Sequence, residues 1–328
     1  MRLKYRETKL DDLPACLTII RDGFLYDRTR KRDLLRLWRE LLTRRRGHSA
    51  VIEDEGRPPG SQLVGFGISG FVTDEFVREA KGGSSPYLAR DALERWGQGC
   101  SPFLTFEDIR RANSTDGLNS FVMHYGQERF QRAEDIVFGH QCLLEAFVQA
   151  NRGYRLKEVI QEVYGETDLR EFLSVGASVW TDYAAAFGSG ASPSPAPDRR
   201  PYLIGAKREE VLKHIRLPST GVFVYTPPRF YFRNAEQDLL RHALLGATDT
   251  ELAYRLRISL TAVKKRWNAI YDRVSAVVPD LLGLAESAAP AGRRGVEKRR
   301  RLLVYLRERR EELRPVIPPK TRGNRLVF

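Results

Sequence analysis

The sequence predicts an α+β N-terminal domain, followed by an all-α domain of three short helices and then by a basic C-terminal helix. Strand and helix patterns alternate along the first part of the chain, whereas residues 234–274 carry three apolar helical stripes separated by stop signals. The charged stretch 296–314 has the apolar spacing of one further helix. With 328 residues, of which 42% are hydrophobic, the chain is long enough to form two domains.

The three short helices of residues 234–274 are marked by their end signals. The first ends at Gly246, and the second opens with the capping box of Thr248 to Glu251, in which two side chains satisfy free N–H groups. The third follows Ser259, a residue suited to an N-cap. Its predicted buried face consists of Val263, Trp267, Ile270 and Val274. Two capped helices joined by a tight turn form a helix-turn-helix arrangement.

A family pattern is visible in this region. The residues that carry it are Glu236, Gly246, Thr248 to Glu251, Ile258, Ser259, Ala262, Val263, Lys264, Ile270 and Val274. With these residues, 234–284 resembles the LuxR-type (NarL/FixJ-like) helix-turn-helix DNA-binding domain. Arg266 stands where that family usually has His, and Ala262 where it usually has Thr. Region 4 of the sigma factors shares the same three-helix arrangement.

The resemblance implies that a recognition helix, at about 260–273, enters the major groove of double-stranded DNA. The candidate DNA-binding residues are Thr261, Lys264, Lys265, Arg266, Asn268 and Arg273. Lys and Asn suit base edges, whereas the two arginines suit phosphates. A fourth helix behind the motif implies a homodimer, and a sigma-like protein would instead have RNA polymerase as its partner.

The positive charge of the chain is concentrated behind residue 228. Residues 229–328 contain 22 Lys and Arg against 11 Asp and Glu, whereas residues 1–228 contain 33 against 31. A basic excess confined to one part of a chain is typical of a phosphate-backbone partner. Within the C-terminal helix, Arg299, Arg300 and Arg301 are candidates for auxiliary backbone contacts. The alternative is a solvated helix that packs its leucines on the first domain.

The N-terminal part predicts a mixed order of strands and helices. Strands are predicted at 4–8, 49–52, 62–70, 119–124, 177–183, 202–205 and 222–232. Helices are predicted from Asp11, at 34–42, 88–96 and 106–113, in two pieces between 142 and 165, and at 168–173 and 207–215. The segment 187–200, rich in Ser, Gly and Pro, is predicted to be a flexible loop.

The start of the chain carries a second family pattern. Its letters are Arg6, Thr8, Asp11, Asp12, Leu13, Pro14 and Cys16. Together with the element order over residues 1–125, they resemble the opening of a GNAT acetyltransferase. In that family the fourth strand runs into a loop whose N–H groups hold the pyrophosphate of acetyl-CoA at a helix N-terminus. Here Gly126 and Gly139 have a different spacing. We therefore expect no acetyl-CoA, no other cofactor and no catalytic residues.

Gly65, Gly67 and Gly70 match another phosphate-binding pattern, G-x-G-x-x-G. That motif requires a preceding strand and a helix that opens at its third glycine. The sequence before it offers only a short strand, so a glycine-containing strand close to a neighbouring backbone is the favoured interpretation.

Metal and membrane sites are not predicted. The three cysteines, Cys16, Cys100 and Cys142, are dispersed, which favours a reducing compartment and hence a cytoplasmic protein. His140 and Cys142 are the only close pair of metal-ligand types, and a structural role is favoured for them. No long apolar run predicts a transmembrane helix, and the charged start does not predict a secretory signal.

These observations predict three segments: a GNAT-like domain with a mixed sheet and flanking helices at 1–233, the helix-turn-helix at 234–284, and a linker with the basic helix at 285–328. The predicted function is a bacterial-type DNA-binding transcriptional regulator whose N-terminal domain is a non-catalytic sensor or interaction module. The alternative is an active GNAT acetyltransferase fused to a DNA-targeting helix-turn-helix. A receiver domain is disfavoured, since the expected early strand with paired acids is missing.

Overall fold

A computed structural model describes residues 2–83, 86–128, 130, 132–187, 195–214, 217–283 and 291–318. The chain divides into two compact units, residues 1–224 and residues 225–328. Half of the predicted flexible loop at 187–200, namely 188–194, and the start of the predicted linker, 285–290, lie outside the described residues. Among the described residues, no helix combines the length and the apolar content needed to span a bilayer.

The first unit contains one seven-stranded mixed sheet. Its strands are β1 (Leu3–Glu7), β2 (Gly47–Asp54), β3 (Leu63–Val72), β4 (Leu118–Gln127), β5 (Leu156–Tyr164), β6 (Ser178–Asp182) and β7 (Pro201–Lys207). The spatial order is β1-β2-β3-β4-β5-β7-β6. Only β4 and β5 run parallel to each other, and all other neighbours are antiparallel. A parallel pair needs a crossover, which a helix between β4 and β5 supplies.

Helices cover both faces of this sheet. They are α1 (Leu13–Cys16), α2 (Arg28–Thr43), α3 (Asp74–Gly82), α4 (Leu88–Gly97), α5 (Phe106–Ser114), α6 (Ala133–Asn151), α7 (Gly165–Ser174), α8 (Ala184–Phe187), α9 (Arg208–Val211) and α10 (Thr220–Phe223). Helices α1 to α4 bury the largest apolar cluster against one face, around Trp38, Phe66 and Phe121. The crossover helix α6 packs with α7 and α10 on the opposite face.

Strands β4 and β5 separate partway along their length. Their pairing extends from Leu118 to Val122 on β4, and beyond that point β4 pairs only with β3 and β5 only with β7. An irregularity between Ile68 and Ser69 leaves Met123 as an extra residue in β4. Bulges of this kind bend a strand and occur often beside active sites. The loop after α1 enters the gap, where the N–H of Arg21 donates to the carbonyl of Tyr125.

Two predicted elements have a different structure. The stretch from Leu156 to Tyr164 was expected to be helical but forms β5, because its apolar residues fit both a helical stripe and a buried strand. The expected strand at 222–232 is absent: helix α10 occupies its start, and the rest is irregular. In this irregular segment Phe230 and Phe232 are buried in the core of the second unit. Their apolar side chains therefore hold the segment without strand pairing.

The second unit is helical in its described part. It contains α11 (Asn234–Leu244), α12 (Asp249–Leu256), α13 (Leu260–Val277) and α14 (Ala291–Glu308). Its core joins the first three helices to Leu302 and Leu306 of α14. Leu302 and Leu306 are therefore buried within the second unit itself, against α11. Buried Glu312 fixes the chain before α11 by accepting the N–H groups of Arg229 and Phe230, each at 3.0 Å.

The capping box at α12 supports a prediction about local stability. The hydroxyl of Thr248 accepts the N–H of Glu251 at 3.3 Å, and the Glu251 carboxylate accepts the N–H of Thr248 at 2.7 Å. We expect Thr248→Ala to destabilise α12 by about 1 kcal/mol, since it removes an N-cap. Hydrogen exchange of the α12 amides should then accelerate roughly fivefold. Thr250→Ala, two residues after the N-cap and exposed, is the control, and equal acceleration in both variants would contradict the assignment.

Candidate functional site

A cavity of about 280 Å³ lies between the sheet and α6 in the first unit. Its floor is formed by small residues from separate strands: Ala50, Gly67, Ser69, Gly205 and Ala206. Small side chains at Ala50, Gly67 and Ala206 leave this space open, whereas Gly205 lacks a side chain because Trp180 packs against it. At Gly67 a Cβ atom would meet nothing within 4 Å, so this glycine opens directly onto empty space. The volume equals that of about nine waters at roughly 30 Å³ each, enough for a small organic molecule.

One end of the cavity is apolar. The wall there consists of Phe147, Ala150, Val159, Val222 and Phe223. Helix α6 supplies Phe147 and Ala150, and α10 supplies Val222 and Phe223. An apolar chamber of this kind does not bind water well, which favours an apolar ligand group.

The other end of the cavity carries titratable side chains. Nε2 of His140 on α6 lies 3.4 Å from the Glu171 carboxylate on α7, and both residues line the cavity. Burial raises the pKa of Glu171, and the neighbouring His140 opposes that shift. The hydroxyl of Tyr125 donates to Asp168 at 2.8 Å, while Nε of Arg21 lies 3.8 Å from the same carboxylate. Burial, followed by the charge of Asp168, raises the pKa of Tyr125 well above its usual value.

Two glutamines of the cavity wall have unused hydrogen-bond donors. Gln127 on β4 and Gln161 on β5 are 8% and 6% exposed. The Nε2 atom of each is buried without a hydrogen-bond partner among the described residues. An unsatisfied buried amide is uncommon and requires an explanation, such as an absent ligand.

The opposite face of the sheet holds a second polar cluster. Nδ1 of His124 lies 3.0 Å from the Asp22 carboxylate, which also accepts the Tyr26 hydroxyl at 3.3 Å. Glu162 accepts the N–H groups of Tyr87 and Leu88 at 2.6 and 3.0 Å, and the hydroxyl of Tyr164 at 2.7 Å. Burial raises the pKa of Glu162 to about 7. None of the residues named in this cluster lines the cavity; only Arg21, the chain neighbour of Asp22, does. We therefore assign the cluster a structural role.

The start of α6 is the place where a GNAT-type loop would hold a diphosphate. A Cβ at Gly126 would overlap the carbonyl oxygen of Ile19, and one at Gly139 would overlap the amide of Gln127 and the ring of Phe130. Protein atoms therefore occupy the space that both glycines leave. The first turn of α6 also carries Glu134 and Asp135, whose charges oppose an anion at a helix N-terminus. The expected absence of an acetyl-CoA site stays a prediction.

The G-x-G-x-x-G pattern lies entirely within β3, so no helix opens at Gly70. The positions near Gly65 and Gly70 are closed by Ile52 and Phe103, as expected for a strand close to its neighbours. The pattern does not form a dinucleotide site. Among the described residues, no group of three or more His, Cys, Asp or Glu side chains could hold a metal ion.

The residues predicted to bind DNA fall into two groups. Thr261, Lys264, Lys265 and Asn268 are exposed on α13. Arg266 donates to the carbonyl of Ala235 at 3.2 Å, and Nε of Arg273 lies 3.2 Å from the buried Glu236 carboxylate. The fold thus brings the four exposed residues onto one helix and uses the two arginines for internal contacts. Contact of any of them with DNA stays a prediction, as do the homodimer and RNA polymerase partners.

The three arginines of α14 also have partners within the unit. Arg299 donates to Asp249 and to the carbonyl of Ala247, each at 2.7 Å, and its guanidinium stacks 4.7 Å from the centre of the Trp267 ring. Arg300 and Arg301 pair with Glu297 at 2.8 and 2.9 Å. Arg299 therefore connects α14 to the start of α12, a contact that sequence spacing does not reveal.

Comparisons with known proteins bear on the first unit. No protein-family model matches the chain, and no curated protein matches it. Among solved structures, it is similar to the C-terminal condensation domain of Ebony in complex with beta-alanyl-dopamine, at 14% identity and a TM-score of 0.39, over 63% of this chain and 99% of that one. A putative arylalkylamine N-acetyltransferase 7 of the yellow fever mosquito aligns at 12% and 0.37, over 62% and 87%.

An acetyltransferase of the GNAT family from Streptococcus pneumoniae aligns at 12% identity and a TM-score of 0.34, over 63% of this chain and 99% of that one. Likenesses this loose identify neither a substrate nor a reaction for this chain. The mixed sheet with flanking helices, observed directly, agrees with the predicted GNAT-like fold of the first unit.

The prediction of a LuxR-type DNA-binding transcriptional regulator with a non-catalytic N-terminal sensor is wrong. No model of such a family matches, and the similar structures are acetyltransferases and a condensation domain. Apart from Lys264, which is exposed, the residues that carried the LuxR-type resemblance lie at helix ends, in first turns or in the core. They specify helix starts and a small apolar core. A unit of three short helices needs such residues whether or not its outer surface binds DNA.

The cavity residues were missed in the sequence. His140 was interpreted as structural, although it faces Glu171, which is distant in the chain. Gln161 lay within a segment interpreted as a helix, where a polar residue is unremarkable. The sequence did offer one signal for Gln161: it lies between Val159, Ile160 and Val163, which are apolar. A buried strand seldom contains an unpaired amide, so the glutamine indicates a polar contact there.

Proposed function

We propose that the first unit catalyses acyl transfer from a thioester to an amine in the cavity under α6. The observation that supports this function most directly is the pairing of His140 with Glu171 at the polar end of an otherwise apolar chamber. A concave site with a few converging polar groups and a shifted pKa is the usual form of an active site. The GNAT-like sheet is compatible with this chemistry, although fold alone does not define it.

The reaction consists of one substitution at the acyl carbon. The amine nitrogen attacks the carbonyl carbon, a C–N bond forms, the C–S bond breaks, and the thiolate leaves. His140 takes the proton from the attacking nitrogen and returns it to the departing sulfur, so that the products are an amide and a thiol. The carboxylate of Glu171 stabilises the imidazolium that exists between the two transfers.

The charges at the polar end favour an amine as the acceptor. Glu171 places one carboxyl group at the cavity, whereas Asp168 lies behind the lining residues Tyr125 and Arg21, which contact its carboxylate. Carboxylates attract an ammonium group and repel anionic acceptors. Glu171 thus holds the ammonium group beside His140. The ammonium releases one proton to solvent before attack, and His140 takes the second proton as the nitrogen attacks.

The misfit at the start of α6 predicts how the donor is recognised. Because the described residues offer no diphosphate site, the nucleotide part of acetyl-CoA should add little to binding. We expect kcat/KM for acetyl-CoA and for S-acetylpantetheine to agree within about threefold, a difference of under about 1 kcal/mol. The thiol released by the full-length chain measures both. A preference for acetyl-CoA of about a hundredfold or more would show that a diphosphate site exists.

The proposed function is tested by thiol release with a panel of primary amines and with acetyl and octanoyl thioesters. Gly67→Leu provides the steric control, because its side chain would fill the cavity without meeting backbone. Amine-dependent thiol release that Gly67→Leu abolishes supports acyl transfer in this cavity. Absence of release with every thioester, or release unaffected by Gly67→Leu, refutes it.

A further inference from the structure

Gln161 is the most unusual side chain in the cavity wall. It lies on the central strand β5, and its side chain is buried, with 6% exposure. Its Nε2 atom has no hydrogen-bond partner among the described residues. Its strand neighbours, Val122 on β4 and Ile204 on β7, are apolar. An apolar residue would satisfy this position at lower free energy, since burying an unpaired amide is unfavourable. A polar group of a ligand in the cavity would give this amide the partner that it lacks among the described residues.

The location of Gln161 indicates which part of a ligand it meets. Val159, two residues earlier on the same strand face, belongs to the apolar end of the cavity. Two strand residues span about 7 Å, so Gln161 lies roughly one short alkyl segment from that end. Tyr125 and Gln127, near the titratable groups, line the cavity on the adjoining strand β4. Gln161 thus stands between the apolar chamber and the pair formed by His140 and Glu171.

We infer that Gln161 is a catalytic residue whose Nε2–H donates to the carbonyl oxygen of an apolar acyl group, longer than acetyl, that lies in the chamber around Val159 and Phe223. This inference rests on the proposed acyl transfer and names its acyl class and its oxyanion donor. As the amine attacks, the carbonyl oxygen becomes negative, and a buried N–H already in place stabilises that charge. Gln127 offers a second amide donor on the neighbouring strand.

The surrounding charges further restrict the chemical class of the ligand. Glu171 disfavours a free fatty acid, whose carboxylate would lie near this carboxyl group. A neutral carbonyl, as in a thioester or an amide, avoids this repulsion. The class that fits is therefore a neutral acyl derivative with a medium-length apolar chain, and octanamide is an unreactive probe for it.

Binding is measured first, by calorimetry of octanamide with the full-length chain. We expect octanamide to bind, acetamide to bind at least about tenfold more weakly, and Gly67→Leu to abolish binding. Gln161→Leu should weaken octanamide about tenfold, as expected for one lost hydrogen bond. Exposed Gln98 lies outside the cavity, so Gln98→Leu is the matched control and should bind as the native chain does.

Turnover and folding provide the second measurement. With an octanoyl thioester, Gln161→Leu should lower kcat about a hundredfold and change KM much less, because the contact strengthens in the transition state. Its midpoint of thermal unfolding should equal or exceed that of the native chain, since an unsatisfied amide is removed. A purely structural glutamine would lower the midpoint instead.

The outcomes separate this inference from the proposed function. Failure of octanamide to bind, or equal affinity in Gln161→Leu, overturns the inference even where acetyl transfer occurs. Binding that depends on Gln161, without turnover of any thioester, refutes acyl transfer and the catalytic role together, and leaves only the acyl-binding contact. Binding and a kcat loss that both depend on Gln161 support the whole inference.

Discussion

Replacing His140 with alanine is expected to lower kcat/KM for amine-dependent thiol release by about 10²- to 10³-fold, the usual range for loss of a general base. The imidazole lines the cavity and lies 3.4 Å from Glu171, so it is positioned both to take a proton and to be stabilised as a cation. Glu171→Gln should produce a smaller loss, because it keeps the shape of the side chain and removes the stabilising charge.

The pair is tested by combining the two substitutions. If His140 and Glu171 act as one unit, His140→Ala with Glu171→Gln should be about as slow as His140→Ala alone. His214, exposed and outside the cavity, gives the control His214→Ala, which should retain native activity. Octanamide affinity separates chemistry from folding and should change little in His140→Ala. Losses that multiply in the double variant would assign the two residues independent roles.

Local signals in the sequence predicted much of the fold. The apolar run from Asn119 to His124 marked β4, and Thr248 with Glu251 marked the start of α12. Such elements are specified by neighbouring residues, through strand propensity and capping, so a single sequence contains the information. The prediction for Leu156 to Tyr164 was wrong because the apolar spacing of this segment suits both a helix and a buried strand. Only its pairing with β4 and β7 decides between the two.

The cavity could not be predicted in the same way. Its space results from small residues on β2, β3 and β7, such as Ala50, Gly67 and Ala206, and each is unremarkable within its own strand. Its chemistry joins α6 to α7 through His140 and Glu171, which come together only through tertiary packing. The charge excess behind residue 228 was real, yet Arg273 and Arg299 use theirs for internal ion pairs.

Folding stability of the first unit is expected to fall by about 2 to 3 kcal/mol, through Glu162 alone, as the pH rises from about 5 to about 8. Burial raises the pKa of this carboxyl to about 7, whereas the unfolded chain has the ordinary value near 4.5. Between these values the folded state holds a proton that the unfolded state has lost. A proton bound more tightly by the folded state stabilises it at low pH, and that stabilisation disappears as the carboxyl ionises.

Glu162→Gln isolates this contribution, because the amide does not ionise. The N–H groups of Tyr87 and Leu88 donate to different oxygens of Glu162, so the amide keeps only one of these contacts, and the comparison therefore uses the change with pH and not the absolute stability. Urea unfolding of both full-length chains at the two pH values gives the comparison, and fluorescence reports mainly on the first unit, which contains Trp38, Trp96 and Trp180. The native chain should lose about 2 to 3 kcal/mol more than the variant between the two conditions. Equal pH dependence in the two chains would mean that Glu162 is already ionised in the folded state at the lower pH, and that its three hydrogen bonds outweigh the effect of burial.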